Sequence, residues 1–345
     1  MTDRTQARAV VARSWEPREF RVEDVELGPL APDELLVSVR LAALSFGDVL
    51  IATGKYQVRP PLPFTPGSEG IGTVEAAGSA ITDLAPGDEV LFYGFRDGTR
   101  NERSIIGTFA EKVVVPRANA IPRPLSMNDH DAVLFRTSYE TSLYGLQRGQ
   151  LAAGETLLVL GAGGATGAAA VGLGKALGAH VIASASSPAK REIALKAGAD
   201  HVVDSRDAHW RERIDALTEN RGVDVIYDPV GGDETERAFR ALAWGGRHVV
   251  IGFAAGRIPS LPVHLALHKG ASLVGANLLR FNDQSPADAA VNIQALIDMH
   301  ARGLLHMPPI AAEFGLEDIA AAMDSVSGGQ TSGRVVINPR LGGRP

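Results

Sequence analysis

The stretch LLVLGAGGATGAAAVGLGKALGAHVIASASSPAK (157–190) decides the fold. An apolar strand, LLVLGA, runs into a glycine-rich turn, and a helix and the second strand HVIAS follow. Gly161, Gly164 and Gly167 are spaced GxxGxxG, and Gly163 is an additional glycine. In such a unit one glycine forms the turn, one lets the backbone approach a pyrophosphate, and one lets helix and strand pack closely. The pyrophosphate binds the free N–H groups at the positive end of the helix. The residues predicted to contact it are Gly163, Gly164, Ala165, Thr166 and Gly167.

After this stretch the chain keeps alternating between strand and helix patterns up to the strand GRHVVIGFA. Strands that alternate with helices of about 10 to 15 residues indicate βαβ units and a parallel sheet. The segment 128–149 has helical spacing, and one more helix is predicted at 286–304. We therefore predict an α/β fold with a doubly wound Rossmann sheet. The alternative for the glycine turn is a glycine-rich helix that packs against a sheet without binding a ligand.

The residues before position 128 follow a different pattern. Short apolar runs such as 34–44 and 107–116 are separated by turns rich in Pro and Gly, which indicates irregular β structure rather than helix. A last strand, predicted at 333–339, is expected to return to this first domain. The sequence thus predicts two domains, one of residues 1–127 and 305–345 and one of residues 128–304.

Composition argues against several classes of function. The formal net charge is −6 and aromatic residues make up 6% of the chain, so a nucleic-acid surface or an anionic-membrane surface is not expected. The absence of cysteine excludes disulfides, thiolate nucleophiles and cysteine-ligated metal centres. No apolar run has the length of a signal peptide or a membrane span. We expect a cytoplasmic protein with a small-molecule partner and without a nucleic-acid or membrane partner.

The end of the second strand, HVIASASS, indicates which dinucleotide binds. Sites for NAD usually place an acidic residue there, on the ribose 2′-hydroxyl. This chain has Ala185 at that place, and Ser186, Ser187 and Lys190 follow. A hydroxyl and an ammonium group suit a 2′-phosphate, whereas a carboxylate would repel it. The sequence therefore predicts NADP(H), bound at its 2′-phosphate by Ser186 and Lys190. The alternative for Lys190 is a solvated first turn of a helix.

Several long segments resemble the zinc-free, zeta-crystallin-like quinone oxidoreductase branch of the medium-chain dehydrogenase/reductase superfamily, and together they span nearly the whole chain. They are ALSFGDVLIATGKYQVRPPLPFTPGSEGIGTV (43–74), GTFAE (107–111), LVLGAGGATG (158–167), VDVIYDPVGGD (223–233), RALAWGGRHVVIGFAAGRIPSLP (240–262) and TSGRVVINP (331–339). The resemblance implies a GroES-like catalytic domain, a Rossmann domain and a cofactor in the cleft between them. It also implies a homodimer whose sheet extends through the edge strand ASLVGAN (271–277); the alternative is an ordinary edge strand.

The resemblance also bears on zinc. Zinc alcohol dehydrogenases have a cysteine where this chain has Ser45 and a histidine where it has Ser68, and serine is not a normal zinc ligand. His264 and His268 have i, i+4 spacing but lie in a predicted surface helix, so we predict no metal site. Without a Lewis acid, a nicotinamide enzyme can still deliver hydride to a quinone or to a C=C bond conjugated to a carbonyl. The prediction is therefore a zinc-independent NADPH:quinone oxidoreductase.

Family resemblance places Ser45 and Tyr56 in the catalytic site, although the family usually has Asn at the position of Ser45. The Tyr56 hydroxyl is a donor at neutral pH, and the alternative is a packed loop tyrosine. Asp48 is expected to orient the loop or to cap a helix rather than to act as a base. The same resemblance suggests that the backbone of the turn 228–232 comes close to the cofactor. The remaining residues predicted to contact the cofactor are Thr141, Gly252, Phe253, Ala254, Asn277 and Arg334.

Alternatives to this function stay open. One is an NADPH-dependent ene-reductase of α,β-unsaturated ketones, aldehydes or enoyl thioesters; for a thioester, Arg96, Arg100 and Arg103 are candidate contacts, unless they belong to a solvated loop. The second, from another class, is an NADPH-binding protein with little turnover, since a fold does not determine a function. The third, a zinc alcohol dehydrogenase, would require tightly bound zinc.

Overall fold

The computed structural model describes residues 5–56, 59–93, 107–328 and 333–342. Arg96, Arg100 and Arg103 lie outside the described residues. Contacts divide the chain into a first unit, Met1–Arg136 with Pro309–Pro345, and a second unit, Thr137–Pro308. Among the helices of the described residues, none is both long and apolar enough to cross a membrane.

The helices and strands are as follows, in chain order. The first part of the first unit contains β1 (Thr5–Trp15), β2 (Arg18–Leu27), β3 (Glu34–Leu44), α1 (Phe46–Ala52), β4 (Glu69–Ala77), β5 (Glu89–Tyr93), β6 (Lys112–Pro116), β7 (Ala120–Pro122) and α2 (Asp129–Phe135). The second unit contains α3 (Thr141–Arg148), β8 (Thr156–Val159), α4 (Ala165–Ala176), β9 (His180–Ala185), α5 (Pro188–Lys196), β10 (His201–Asp204), α6 (Trp210–Leu217), β11 (Val223–Asp228), α7 (Asp233–Phe239), β12 (Leu242–Val250), α8 (His264–Lys269), β13 (Ser272–Gly275), α9 (Leu278–Gln284) and α10 (Pro286–Ala301). The chain then returns to the first unit with β14 (Ile310–Phe314), α11 (Ile319–Ser327) and β15 (Arg334–Ile337).

The second unit is built on a parallel sheet with strand order β10-β9-β8-β11-β12-β13. Its central strand β8 is buried along its whole length, as expected for a strand covered by helices on both faces of the sheet. The strand order reverses next to β8, where the chain crosses from one half of the sheet to the other. Ligands bind at the carboxyl ends of the strands at such a point in open α/β sheets. The predicted Rossmann sheet is therefore confirmed.

The first unit is built on a mostly antiparallel sheet with strand order β14-β15-β3-β4-β5-β7, and β6 pairs with the first half of β3, residues 34–38. The predicted C-terminal strand pairs with β3, with Val335 opposite Leu44. Strand β14, whose residues alternate between half-buried and exposed, was not predicted from the sequence. The hairpin β1–β2 joins the unit through backbone bridges of Ala9 to Ala110 and of Ala12 to Phe64.

The helical segment predicted at 128–149 is divided into two helices. A π-helical turn, Arg136–Glu140, separates α2 from α3. The apolar residues of α2 are buried, and this helix packs on β3 and β4 of the first unit. The contacts therefore divide after Arg136 and after Pro308, whereas the sequence pattern predicted divisions after residues 127 and 304. A local helical pattern does not indicate which sheet the helix packs on.

Candidate functional site

Four glycines lie in and next to the turn between β8 and α4, and at most of these positions a larger side chain would clash with neighbouring atoms. Gly161 has φ +58°, and a Cβ there would lie 2.8 Å from Cγ2 of Val230. A Cβ on Gly167 would overlap the carbonyl oxygen of Gly161, and one on Gly163 would overlap Cβ of Lys190. Gly164 is exposed, so its backbone is open to a ligand. The glycines thus form the turn, the close packing and the open backbone that the sequence predicted.

The start of α4 lacks a side-chain cap. Its N-cap residue is Gly164, which has no side chain to accept hydrogen bonds from the N–H groups of the first turn. The backbone N–H groups of Ala165, Thr166 and Gly167 therefore point toward the turn at the positive end of the helix dipole. Uncapped N–H groups beside a cradle that a Cβ would fill are suited to a pyrophosphate. The residues present here fit a dinucleotide.

A buried hydrogen-bond network of hydroxyl groups contacts the first turn of α4. The Ser142 hydroxyl lies 2.8 Å from the carbonyl oxygen of Thr166 and 3.1 Å from the Tyr227 hydroxyl. Burial raises the pKa of Tyr227, so this phenol stays protonated and acts as a donor. The predicted contact residue Thr141 precedes Ser142 as the first residue of α3 and is half-buried. Within the described residues, its hydroxyl makes no hydrogen bond, which leaves it free for a ligand.

The carboxyl end of β9 carries the residues predicted for the 2′-phosphate. Ala185 is buried, whereas Ser186 and Lys190 are half-buried. Ser187 serves as the N-cap of α5, because its hydroxyl accepts a hydrogen bond from the backbone N–H of Lys190. Among the described residues, neither Ser186 nor the ammonium group of Lys190 has a side-chain hydrogen-bond partner. Asp204, which is paired in register with Ala185 on the neighbouring strand, was not predicted from the sequence.

Asp228 forms hydrogen bonds that connect the turn after β11 with strand β12. Its carboxylate accepts hydrogen bonds from the backbone N–H groups of Val230 and Gly231, from the Thr235 hydroxyl and from Nε2 of His248. Burial alone would raise the pKa of Asp228, but the hydrogen bonds from His248, from the backbone and from Thr235 outweigh it and lower the pKa. This pair was not predicted from the sequence, although a histidine inside an apolar strand signals a buried group that needs a partner.

The predicted contacts Gly252, Phe253 and Ala254 lie in the loop after β12, beside the turn fixed by Asp228. The N–H of Ala254 donates to the carbonyl oxygen of Pro229 at 3.1 Å. Asn277 lies after β13 at the same edge of the sheet, where it is the N-cap of α9 and accepts a hydrogen bond from the N–H of Arg280. The structure therefore brings these predicted residues to the carboxyl edge of the sheet and gives Asn277 a structural role in addition.

In the first unit, one buried carboxylate joins Ser45 and Ser68, the two serines that the family resemblance places at zinc-ligand positions. The Ser45 hydroxyl donates to Oδ2 of Asp48 at 2.6 Å, and the Ser68 hydroxyl donates to Oδ1. Ser45 and Asp48 also form a capping box at the start of α1, so the predicted capping role of Asp48 is confirmed. Burial raises the pKa of Asp48, and the hydrogen bonds from the serines oppose this shift.

Arg334 is close enough to the carboxylate of Asp48 to interact with it electrostatically. It is buried on β15, and its guanidinium is 3.7 Å from the Glu69 carboxylate. Burial lowers its pKa, whereas the charges of Glu69 and Asp48 act in the opposite direction. The structure thus shows Arg334 as a buried counterion of carboxylates in the first unit, and its contact with the cofactor stays a prediction.

Tyr56 packs against a cluster formed by Ala12, Ile51 and Phe64, and its side chain is half-buried.

The described residues contain no group of three or more His, Cys, Asp or Glu side chains that could hold a metal ion. His264 and His268 face each other edge to face on the exposed helix α8, with ring centroids 5.8 Å apart. Two histidines without a third ligand do not form a structural or catalytic zinc site.

Comparisons with known proteins agree with this architecture. Residues 31–125 match the alcohol dehydrogenase GroES-like domain, and residues 165–292 match the family described as zinc-binding dehydrogenase. The chain is 33% identical over 319 residues to quinone oxidoreductase-like protein 2 of Rattus norvegicus, a match that covers 92% of this chain and 88% of the relative. It is 32% identical over 320 residues to a phenolphthiocerol/phthiocerol polyketide synthase protein of Mycobacterium tuberculosis, a match that covers 92% of this chain and 14% of that protein.

Among solved structures, a quinone oxidoreductase of Pseudomonas syringae pv. Tomato DC3000 has a TM-score of 0.86 at 28% identity, covering 97% of this chain and 100% of that chain. One relative thus matches at one third identity over nearly the full length of both chains, and both halves of the chain match dehydrogenase domain families. The chain belongs to the quinone oxidoreductase branch of the medium-chain dehydrogenase/reductase superfamily and is an oxidoreductase by family.

Proposed function

We propose that this protein is a zinc-independent oxidoreductase that transfers hydride from NADPH to a quinone or another conjugated carbonyl acceptor. When bound, NADPH supplies the hydride. The observation that carries the proposal is the uncapped start of α4, with its glycine cradle beside Lys190. In the proposal, Ala165, Thr166 and Gly167 bind the pyrophosphate with their N–H groups. Ser186 and Lys190 bind the 2′-phosphate. The rest of the cofactor contacts Thr141, Asn277 and the loop Gly252–Ala254.

Zinc independence rests on the residues at the ligand positions. Ser45 and Ser68 both donate their hydroxyl protons to Asp48, so their hydrogen bonds are satisfied without a metal. Neutral hydroxyls of this kind are not zinc ligands in ordinary sites. Elemental analysis of the purified protein is the test, and stoichiometric zinc would overturn this part of the proposal.

Tyr56 is the proposed hydrogen-bond donor to the acceptor's carbonyl oxygen, where negative charge develops as hydride arrives at carbon. Ser45 is a poorer donor, because its hydroxyl proton is directed to Asp48. The proposed role of Ser45 is therefore to shape the site and to offer oxygen lone pairs.

We expect Tyr56→Phe to lower kcat/KM for a quinone about 100-fold, the loss typical of removing one donor to a developing oxyanion. The dissociation constant of NADPH should stay unchanged, since the ring and its packing are kept. Steady-state kinetics and a fluorescence titration with NADPH measure the two quantities. Tyr144→Phe is the control, because it removes a phenol that stacks on Phe281 in the second unit. Unchanged kcat/KM in Tyr56→Phe would exclude the donor role.

Lys190→Ala is expected to weaken NADPH binding about tenfold and to leave NADH binding unchanged, because only the 2′-phosphate pairs with this ammonium group. Equilibrium titrations with both nucleotides measure the effect. The matched control is Lys196→Ala, which removes an exposed lysine from the last turn of the same helix. Equal losses for NADPH and NADH would show that Lys190 does not recognise the 2′-phosphate.

The acceptor is tested by comparing NADPH and NADH consumption with an ortho-quinone and with a cyclic enone. Fast NADPH loss with the quinone alone supports the proposed function. Fast loss with the enone supports the alternative of an ene-reductase for ketones, aldehydes or enoyl thioesters. Tight NADPH binding without turnover of either acceptor would favour a binding protein.

The homodimer and the cytoplasmic location stay predictions. The exposed edge strand β13 supports the first of them, because Leu273 on it is 52% exposed and Trp244 on the adjacent strand β12 is 80% exposed. An exposed strand edge with apolar side chains is a surface that commonly pairs with another copy. A monomeric mass in light scattering would reject the dimer.

A further inference from the structure

A carboxylate lies beside Ala185 although the strand of Ala185 itself carries none. Asp204 ends β10 and is paired in parallel register with Ala185 at the end of β9. In a parallel pair, residues in register project to the same face of the sheet. The acid that the sequence lacks at the end of the second strand is therefore supplied at the same edge by the third strand.

This carboxylate is paired with a cation from the helix that follows β9. Nη1 of Arg191 lies 2.8 Å from Oδ2 of Asp204 and donates to the carbonyl oxygen of Ala185 at 3.2 Å. Oδ1 of Asp204 accepts the backbone N–H of Arg206 at 2.9 Å. That hydrogen bond and the charge of Arg191 lower the pKa of Asp204, so the pair is ionic at neutral pH. Of the two adjacent cations, Arg191 is neutralised and Lys190 is not.

The Arg191–Asp204 ion pair lies close to the proposed position of the 2′-phosphate and would interact with it electrostatically. Lys190 is the residue before Arg191, and its Cα would lie 2.8 Å from a Cβ on Gly163 of the glycine turn. The side chains of Arg191 and Asp204 are 21% and 38% exposed, so both can interact with a bound anion. A dianionic phosphate near this pair is attracted by the guanidinium and repelled by the carboxylate.

We propose that Asp204 is a specificity-determining residue that limits the preference for NADPH over NADH by neutralising Arg191 beside the 2′-phosphate position. The inference rests on the proposed NADPH function. Removing the charge of Asp204 releases Arg191 as a second cation for the phosphate. Removing Arg191 instead leaves an unpaired carboxylate that repels the phosphate and can accept a hydrogen bond from a ribose hydroxyl.

The test is equilibrium binding, which does not depend on turnover. Dissociation constants are measured by fluorescence titration for NADPH and NADH, and by displacement for adenosine 2′,5′-bisphosphate and 5′-AMP. We expect Asp204→Asn, which can keep the hydrogen bond from Arg206, to tighten NADPH binding about three- to tenfold and to leave NADH within about twofold. Arg191→Gln should weaken NADPH binding by a similar factor. The double variant should return to within about threefold of the wild type, because its net charge is restored.

A matched control separates this local effect from the loss of a surface charge. Asp215 pairs with Arg211 at 2.8 Å within α6 and is comparably half-exposed, and Asp215→Asn should leave the NADPH:NADH ratio of dissociation constants unchanged. The gain in Asp204→Asn should also shrink as salt rises, since it is electrostatic. A purely structural role of Asp204 would change both nucleotides alike and would show no such salt dependence.

Two results would overturn the inference. One is an unchanged ratio in Asp204→Asn, and the other is an equal change in Asp215→Asn. Failure of the proposed function is a different result, because it is measured on the wild type. A wild type that binds NADH as tightly as NADPH would contradict the NADPH preference, whereas a shift of the ratio toward NADPH in Asp204→Asn would still support the role of Asp204.

Discussion

Gly167→Ala is expected to weaken NADPH binding about 1,000-fold or more, because it displaces the N–H groups that would bind the pyrophosphate and each charge-assisted hydrogen bond contributes about 1.5 to 3 kcal/mol. A Cβ at this position would overlap the carbonyl oxygen of Gly161 and lie 2.9 Å from Cα of Ala162. Both are backbone atoms of the turn, so the clash cannot be relieved by rotating a side chain. Either α4 moves away from β8 or the turn opens.

The measurements are a fluorescence titration with NADPH and thermal unfolding followed by circular dichroism. The second unit should also lose about 1 to 3 kcal/mol of stability, as is usual when a side chain is forced into a packed site. Gly172→Ala is the control within the same helix, because its Cβ would lie at an ordinary distance of 3.6 Å from the carbonyl oxygen of Ala197. That variant should keep NADPH binding and gain about 0.5 to 1 kcal/mol from helix propensity. Normal NADPH binding by Gly167→Ala would contradict the proposed cradle.

Asp228→Ala is expected to lower the free energy of unfolding of the second unit by about 3 to 5 kcal/mol, the cost of removing one partner from a buried charged network. Four donors would lose their acceptor, and two of them are the backbone N–H groups of Val230 and Gly231. The turn after β11 and the neighbouring loop after β12 should loosen together. Hydrogen exchange in 223–256, together with urea unfolding, measures the change.

The pH dependence of this network has a definite sign. The folded-state pKa of Asp228 is lowered, so its stabilising contribution is present above the ordinary carboxyl pKa of about 4 and is lost as the pH falls through the folded-state value. The wild type should therefore lose stability below about pH 4 more steeply than Asp228→Asn does. Glu236→Gln, which breaks an exposed i, i+4 pair with Arg240, should have little effect at any of these pH values. An acid response equal in the wild type and in Asp228→Asn would show that Asp228 carries no such contribution.

Features that depend on residues close together along the chain could be predicted from the sequence. The glycine turn, the alternation of strands and helices after it and the capping role of Asp48 all depend on segments of a few residues. In such segments the backbone geometry and the nearest side chains decide the conformation, and the periodicity of apolar residues decides the element. The Rossmann sheet and the strand β15 could therefore be predicted without coordinates.

Contacts between residues far apart along the chain became visible in the folded structure. Ser68 shares the carboxylate of Asp48 with Ser45, His248 donates to Asp228, and Asp204 takes its place beside Ala185. It also assigned α2 to the first unit and added the half-exposed strand β14. The partners in each case are about 20 residues apart along the chain, so no local pattern encodes the pairing. Their contacts follow from sheet register and packing, which are properties of the folded chain as a whole.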